Sequence, residues 1–456
     1  MGDNQENSRL NDTICAVATA VGRGGIGIVR VSGPKAKAIA EKILKTSISP
    51  RTAKLLNFHD QKGNVIDKGI GLFFQNPNSF TGEDILELQA HGGPVLLDML
   101  MHELLALGCR QARPGEFSER AFLNSKIDLT QAEAIADMID AASSQAVRSA
   151  GRSLQGEFSR EVNKLTDGLV DLRSFIEAAI DFPEEEIDFI KNSDVSKRLL
   201  MLEKKLKDIL KKAKTGNILQ EGMTLVIAGQ PNAGKSSLLN CLAGKDSAIV
   251  TDIPGTTRDI LKEYIQIDGM PLHILDTAGL RETEDQIEQE GVKRAWAEIE
   301  KADGLLLVVD DNKGLMAEDK KIIEKTQGQL PVTVLFNKSD QTGRQIAAGE
   351  AYGLRAISIS AKNCQGLELL KARLKELMGY TESGEGAFLA RRRHLSALEK
   401  ALINIKAAKA QVQNTKAPEL AAEDLRKAQE CLGQIAGDFK ADDLLGKIFS
   451  DFCIGK

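Results

Sequence analysis

The sequence predicts a multidomain chain: an α+β N-terminal domain, an all-α helical domain, and an α/β domain inserted into the helical one. Three observations predict it. Short apolar stretches of period two, broken by glycine, run to about residue 90. Long helical patterning rich in Ala, Leu, Lys and Glu lies both before residue 217 and after residue 379. Between them, strand and helix patterns alternate. At 456 residues the chain exceeds one hydrophobic core. The expected divisions are 1–120, 121–216, 217–379 and 380–456, the second and fourth forming one helical domain.

A hydrophobic content of 42% with 27% charged residues describes a soluble globular chain. No run of about 18 apolar residues could span a membrane, and the polar start MGDNQENSRLND lacks the basic and apolar regions of a signal peptide. The net charge of −5 argues against a protein coated in nucleic acid, but leaves room for a local basic face. Lysines 204, 205, 207, 211, 212 and 214 form such a stripe, either an RNA contact or a solvated helix face. Cysteines 15, 109, 241, 364, 431 and 453 include no C-x-x-C pair, so neither a disulfide framework nor a zinc site is expected, and a cytoplasmic location fits. The five histidines show no metal spacing.

Gly22, Gly24 and Gly27 spell G-x-G-x-x-G, the dinucleotide fingerprint, which requires a helix after the glycines. Here Ile26 to Val31 alternate at period two, so a glycine-linked pair of strands is expected and dinucleotide binding is rejected. Strands at 70–74 and 84–89, a turn at 76–79 and a helix at 94–107 complete this domain. Arg30 and Glu87 interrupt apolar strands, and mark either a pocket or the solvent face. From Ser118, helical steps run through Leu129, Ala132, Ala136 and Ile139, then Leu165, Leu169, Leu172, Ile176 and Ala179, until Asp181-Phe182-Pro183 stops them. Further helices are expected at 195–213, 387–412 and 419–437.

Thr224 to Ala228 reads as a buried strand that breaks at Gly229 and restarts as a helix at Gly234-Lys235-Ser236. The spacing is G-x-x-x-x-G-K-[ST] in its strand–loop–helix context, a nucleotide phosphate loop. Asn232, Ala233, Gly234, Lys235, Ser236 and Ser237 would close around phosphate oxygens at a helix N-terminus. Lys235 can reach the β- and γ-phosphates and the Ser236 hydroxyl can hold Mg²⁺.

Three more signals follow at strand ends. Asp276-Thr277-Ala278-Gly279 supplies an aspartate that can hold Mg²⁺ through water and a glycine N–H that can sense the γ-phosphate. Asn337-Lys338-Ser339-Asp340 supplies a carboxylate for guanine N1–H and its 2-amino group. Adenine lacks that donor pair, so GTP is selected. Ser360-Ala361-Lys362 would close over the base. The loop Thr251-Asp252-Ile253-Pro254-Gly255-Thr256-Thr257 would order around Mg²⁺ and the γ-phosphate. Leu280 stands where many GTPases carry a water-orienting glutamine, so Glu282, Glu284, Asp285 or Glu288 must serve instead. The competing class is a regulatory GTPase switch acting on RNA or ribosome without chemistry of its own.

With these motifs, the chain resembles the MnmE (TrmE) family of bacterial tRNA-modifying GTPases. The likeness extends beyond the phosphate-loop domain to GRGGIGIVR, SFTGEDILELQAHGG, ARPGEFSERAFLN, EAAIDFPEEEIDF, FLARRRHL and the terminal FCIGK. The resemblance implies a one-carbon folate, 5-formyltetrahydrofolate or methylene-tetrahydrofolate, bound at Arg30, Glu87, Lys126 and Lys456, in a domain that also makes a homodimer. It implies a flavoprotein partner, MnmG, and an aminomethyl-type group placed on carbon 5 of the wobble uridine of certain tRNAs. It further implies K⁺-dependent pairing of the GTP-binding domains, with K⁺ on Asn232, Thr251, Ile253 and Thr256 and Mg²⁺ on Ser236 and Thr257. Glu288 corresponds to the glutamate that orients water. Cys453 is either a nucleophile in tRNA modification or a packed thiol.

Overall fold

The structure is a computed structural model and describes residues 12–141, 143–181, 193–243, 262–267, 270–276, 302–326, 328–377, 388–415 and 417–437, with 296, 299, 448, 449, 452 and 455. The chain divides into two compact units: Met1–Ala136, Leu154–Thr166 and Glu430–Lys456 form one, and Asp137–Ser153 and Asp167–Gln429 the other.

The first unit begins with β1 (Ile14–Val17), β2 (Gly24–Ser32), α1 (Ala36–Leu44), β3 (Lys54–His59), β4 (Val65–Phe74), β5 (Ile85–Gly92), α2 (Pro94–Ala106) and β6 (Arg110–Gln111). Its sheet has the order β3-β4-β5-β2-β1-β6. Neighbours are antiparallel except β1 and β6. The glycine-linked strands expected at 13–33 are β1 and β2. Strand alternation sends Val29, Val31, Leu86 and Leu88 into a core closed by Ile39 and Ile43 of α1 and Leu100 and Leu104 of α2. The other face carries Arg30 and Glu87, which oppose each other in the β2–β5 register. Next in the chain are α3 (Glu116–Leu123) and α4 (Leu129–Asp140); α5 (Ser144–Leu154) belongs to the second unit but for its last residue, and α6 (Glu157–Asp181) is counted with the first unit as far as Thr166 and with the second beyond it. Leu129, Ala132 and Ala136 are buried as their spacing predicts, but Ile139 is 50% exposed: the buried stripe of α4 stops one turn early.

The second unit carries α7 (Ser193–Glu221), β7 (Met223–Ala228), α8 (Lys235–Ala243), β8 (Lys262–Ile267), β9 (Met270–Asp276), β10 (Gly304–Asp310), α9 (Ala317–Thr326), β11 (Val332–Asn337), α10 (Ser339–Thr342), β12 (Ala348–Ala351), β13 (Leu354–Ser358) and α11 (Leu367–Leu377). After these come α12 (Arg392–Ala410), ending in a π turn at Gln411–Thr415, and α13 (Pro418–Ala436). The sheet order is β12-β13-β11-β10-β7-β9-β8, parallel except at its two edge strands. β7 is buried on both faces. Leu225 and Ile227 join Leu238 and Leu242 of α8, while Val226 and Ala228 join Val309 and Phe336 on the opposite side. α7 runs eight residues past the expected end at 213, because buried Ala213 and Leu219 prolong its apolar stripe beyond the lysines. It packs along α12, with Lys409 3.0 Å from Glu203 and Lys214 2.9 Å from Glu399. Cys241 of α8 and Cys364, 123 residues apart in sequence, lie side by side with Cα atoms 5.8 Å apart, because the fold brings α8 beside the turn after β13.

Candidate functional site

The phosphate loop leaves β7 at Gly229, whose φ is +139°; a Cβ there would stand 2.1 Å from the Val308 carbonyl oxygen. Gly234, at φ +98°, would place a Cβ 2.2 Å from Asn337 Nδ2. Close backbone approach thus requires glycine at both ends of the motif. α8 starts at Lys235, so its first N–H groups face the loop. Lys235 Nζ donates to the carbonyls of Gly229 at 2.8 Å and Gln230 at 3.2 Å, crossing the loop. Asn232, Ser236 and Ser237 present exposed side chains on this turn, Asn232 with φ +63°.

The residues of the motif Asn337-Lys338-Ser339-Asp340 are tied to this loop. Asn337, 2% exposed at the end of β11, donates from Nδ2 to the Ala233 carbonyl at 2.8 Å. Its Oδ1 accepts the Ala361 N–H at 2.9 Å. One buried amide therefore fastens the phosphate loop to the Ser360-Ala361-Lys362 turn, and neither of its ends is left unmet. Ser360 Oγ donates to Asp340 Oδ1 at 2.7 Å and orients the exposed carboxylate, and Lys362 is exposed nearby in sequence. Lys338 Nζ lies 2.7 Å from Asp310 Oδ2 at the end of β10. Burial pushes the Asp310 pKa up, but Lys338 and the Asn312 donors outweigh it and hold the group below its ordinary value. Asp310 belongs to none of the sequence motifs; its signal was an acid terminating the apolar run Leu305–Val309. Asp276 closes β9 beside Ile227 of β7. Thr251, Asp252, Ile253, Pro254, Gly255, Thr256, Thr257, Thr277, Ala278, Gly279 and Glu288 lie outside the described residues, as do Cys453 and Lys456.

A second site lies in the first unit: a cavity of about 620 Å³ whose polar lining is Arg30, Glu87 and Ser118. Phe74 and Ile85 line it from the sheet, Phe80 from the β4–β5 connection, Ile127 from the turn before α4, and Ile135 and Leu154 from α4 and α5. Arg30 Nε and Nη2 both reach Glu87 Oε1, at 2.9 and 2.8 Å. The guanidinium lies 5.9 Å from the Phe80 ring centre and 5.7 Å from that of Phe117. The pocket meaning of these two charges therefore prevails over the solvent-face meaning. Lys126 does not line the cavity; its Nζ donates to the Pro77 carbonyl at 2.8 Å, on the turn that leads to Phe80. Near the chain's end, Gly455 packs against β1: a Cβ on it would stand 2.3 Å from the Val17 oxygen.

α3 supports this cavity and is held by charge. Arg120, 2% exposed, meets Glu83 at 3.1 Å, Glu116 at 3.1 Å and Asp12. Glu116 also meets Arg110 at 2.6 Å. Burial pushes the Glu116 carboxyl up, but Arg110, the Arg113 N–H and Arg120 overcome it and hold its pKa at about 2. The Arg391-Arg392-Arg393-His394 run at the start of α12, which the sequence offers either as a tRNA contact or as an ordinary basic helix start, is partly tied into the fold. Arg391 lies 2.9 Å from Asp137, and His394 Nδ1 accepts the Arg391 N–H at 3.0 Å.

A sheet parallel but for its edge strands, with a glycine-bounded phosphate loop at one strand end and the motif Asn337-Lys338-Ser339-Asp340 at another, defines a P-loop GTPase domain. The rest of the chain is more distinctive. Residues 13–126 match the model for the GTP-binding protein TrmE N-terminus, and residues 129–453 that for the MnmE helical domain. The tRNA modification GTPase MnmE of Hydrogenovibrio crunogenus is 56% identical over 446 residues, covering 98% of this chain and 99% of that protein. Its counterpart from Pasteurella multocida is 55% identical, covering 98% and 100%. A crystal structure of a variant of Aquifex aeolicus Era bound to GDP·AlF4⁻ aligns with 40% of this chain and 66% of that one, at 26% identity and a TM-score of 0.27. The chain belongs to the MnmE (TrmE) family of tRNA modification GTPases. Among the described residues, no helix is long and apolar enough to cross a membrane.

Proposed function

We propose that this chain hydrolyses GTP under K⁺ control and couples hydrolysis to folate-dependent modification of the wobble uridine of tRNA, acting in the cytoplasm as a homodimer with a flavoprotein partner of the MnmG type. The observation that carries the nucleotide half is the Asn337 amide, which unites phosphate loop and base-reading turn into one GTP-shaped cradle. Asp340, steadied by Ser360, reads guanine; Lys235 leaves its loop carbonyls for the phosphates. The donor set fits the implied metals: Ser236 and Thr257 are hard hydroxyl ligands for Mg²⁺. Asn232, with Thr251, Ile253 and Thr256, offers neutral oxygens for K⁺. When bound, the two cations offset charge developing between the β- and γ-phosphates. Glu288 orients water where Leu280 cannot.

The cavity fits a reduced pterin. Its apolar walls suit a flat ring, and Glu87 can accept the N–H pair that a pterin shares with guanine. Glu87 Oε1 is committed to Arg30, and among the described residues Oε2 has no partner, so one oxygen stays available. Lys126 and Lys456 would meet the ligand at the rim. In this reading 1–120 is the folate and dimerisation domain, 121–216 with 380–456 the helical domain, and 217–379 the inserted GTPase domain. GTP turnover of the purified protein in KCl and in NaCl, with and without 5-formyltetrahydrofolate, tests the proposal. Turnover should need K⁺, and equal rates in the two salts would overturn the K⁺ role.

A further inference from the structure

Ser118 stands out among the buried polar groups of the first unit. It lies on α3, is 0% exposed, and lines the same cavity as Arg30 and Glu87. Among the described residues its Oγ has no hydrogen-bond partner. A serine inside a helix ordinarily satisfies its hydroxyl with water or with the carbonyl one turn back, and buried hydroxyls are seldom left unmet. Its helix gives it little room to adjust. Glu116 and Arg120 are clamped by Arg110, Asp12 and Glu83, so α3 holds Ser118 in place. An unmet hydroxyl on a residue that lines a cavity is a cost in the ligand-free protein, and a ligand can recover it once rotation about χ1 turns the buried oxygen toward the cavity.

We infer that Ser118 is a ligand-contacting residue of this cavity, its hydroxyl bonding a ring heteroatom of the bound reduced pterin while Glu87 takes the N–H edge. The inference rests on the proposal that the cavity binds folate. It adds a residue that contributes to affinity by hydrogen bonding and has no bonding role in the ligand-free fold.

That asymmetry makes the test. Ser118→Ala removes an unmet hydroxyl, so the ligand-free protein should melt at the wild-type temperature or slightly above it. Its affinity for 5-formyltetrahydrofolate, by titration calorimetry on the full chain, should fall by about 10-fold, the worth of one well-made hydrogen bond. Tetrahydrobiopterin, a pterin without the glutamate tail, should lose affinity by the same factor, because the contact is to the ring. Ser118→Thr keeps the hydroxyl and should retain more affinity than Ser118→Ala. Wild-type binding unchanged in Ser118→Ala overturns this inference and leaves the folate proposal standing. A lowered melting temperature of ligand-free Ser118→Ala would also overturn it, by showing that the hydroxyl supports the fold. No folate binding by the wild type overturns both.

Discussion

The nucleotide site and the N-terminal cavity each present a carboxylate, Asp340 in one and Glu87 in the other, yet they hold it by different means. Asp340 is exposed and steadied by a neutral hydroxyl, and the turns around it are joined by the neutral amide of Asn337. Glu87 is half-buried, locked to a guanidinium, and backed by a helix that ion pairs hold in place. Two ion pairs, Lys338–Asp310 and Arg344–Asp311, flank the motif Asn337-Lys338-Ser339-Asp340 without touching Asp340. Main-chain loops suit a polyphosphate, whose charge can be met by N–H groups in any sequence that forms the turn. A compact ring in an apolar cavity must be met by side chains, and a charged one there needs a partner of its own.

If guanine recognition rests on Asp340 alone, Asp340→Asn should have the largest effect. Asparagine turns an acceptor into a donor, so GTP affinity should fall by about 10³-fold or more. Xanthosine triphosphate, with an oxygen in place of the 2-amino group, should bind better than to the wild type. Competition against a fluorescent guanine nucleotide measures both. Loss of GTP without gain of the xanthine nucleotide would mean that the substituted amide disturbs the Ser360 turn instead. Folate binding should stay at the wild-type value, because Glu87 reads its ligand independently.

Glu87→Gln comes next. The amide keeps one acceptor but turns an N–H₂ toward either Arg30 or the ligand, so 5-formyltetrahydrofolate affinity should drop about 10- to 100-fold, the range for hydrogen bonds to a charged group. GTP affinity should not change. An unchanged folate affinity would remove Glu87 from the site and break the parallel with Asp340.

The two sites also differ in how openly the sequence displays them. Gly229, Gly234, Lys235 and Asp340 fall within short, contiguous motifs, because a loop at a strand end needs its residues in fixed order. Arg30 and Glu87 are 57 residues apart and meet only through strand register. Alternation marked both as out of place among apolar neighbours, but could not say whether they faced water or each other. The family resemblance implied only that both belong to one folate site; strand register shows that they pair. Ser118 lies inside the family stretch ARPGEFSERAFLN but nothing there gave it a role, and Asp310 had no motif at all: it is an acid that matters because β10 ends beside Lys338. Helix lengths were least legible. The stripe of α7 outlasts its lysines and that of α4 stops before Ile139, since what buries each turn comes from distant segments.

Acid should separate the two sites most gently. Glu116 has its pKa held at about 2 in the folded protein against an ordinary 4.5, and Asp12 is lowered as well. A depressed carboxyl stabilises the fold above its unfolded value and loses that contribution as pH falls through the folded one. Glu119, raised by burial, works in the opposite sense and offsets part of the loss. The ion pairs around α3 should therefore weaken progressively between about pH 4.5 and pH 2. Amide exchange, corrected for intrinsic rates, should show residues 116–123 losing protection in that window. Residues 332–337 of β11, whose Asn337 brace is neutral, should hold theirs to lower pH. Equal loss in the two segments would mean that the charged clamp contributes no more to its site than the amide does to the other.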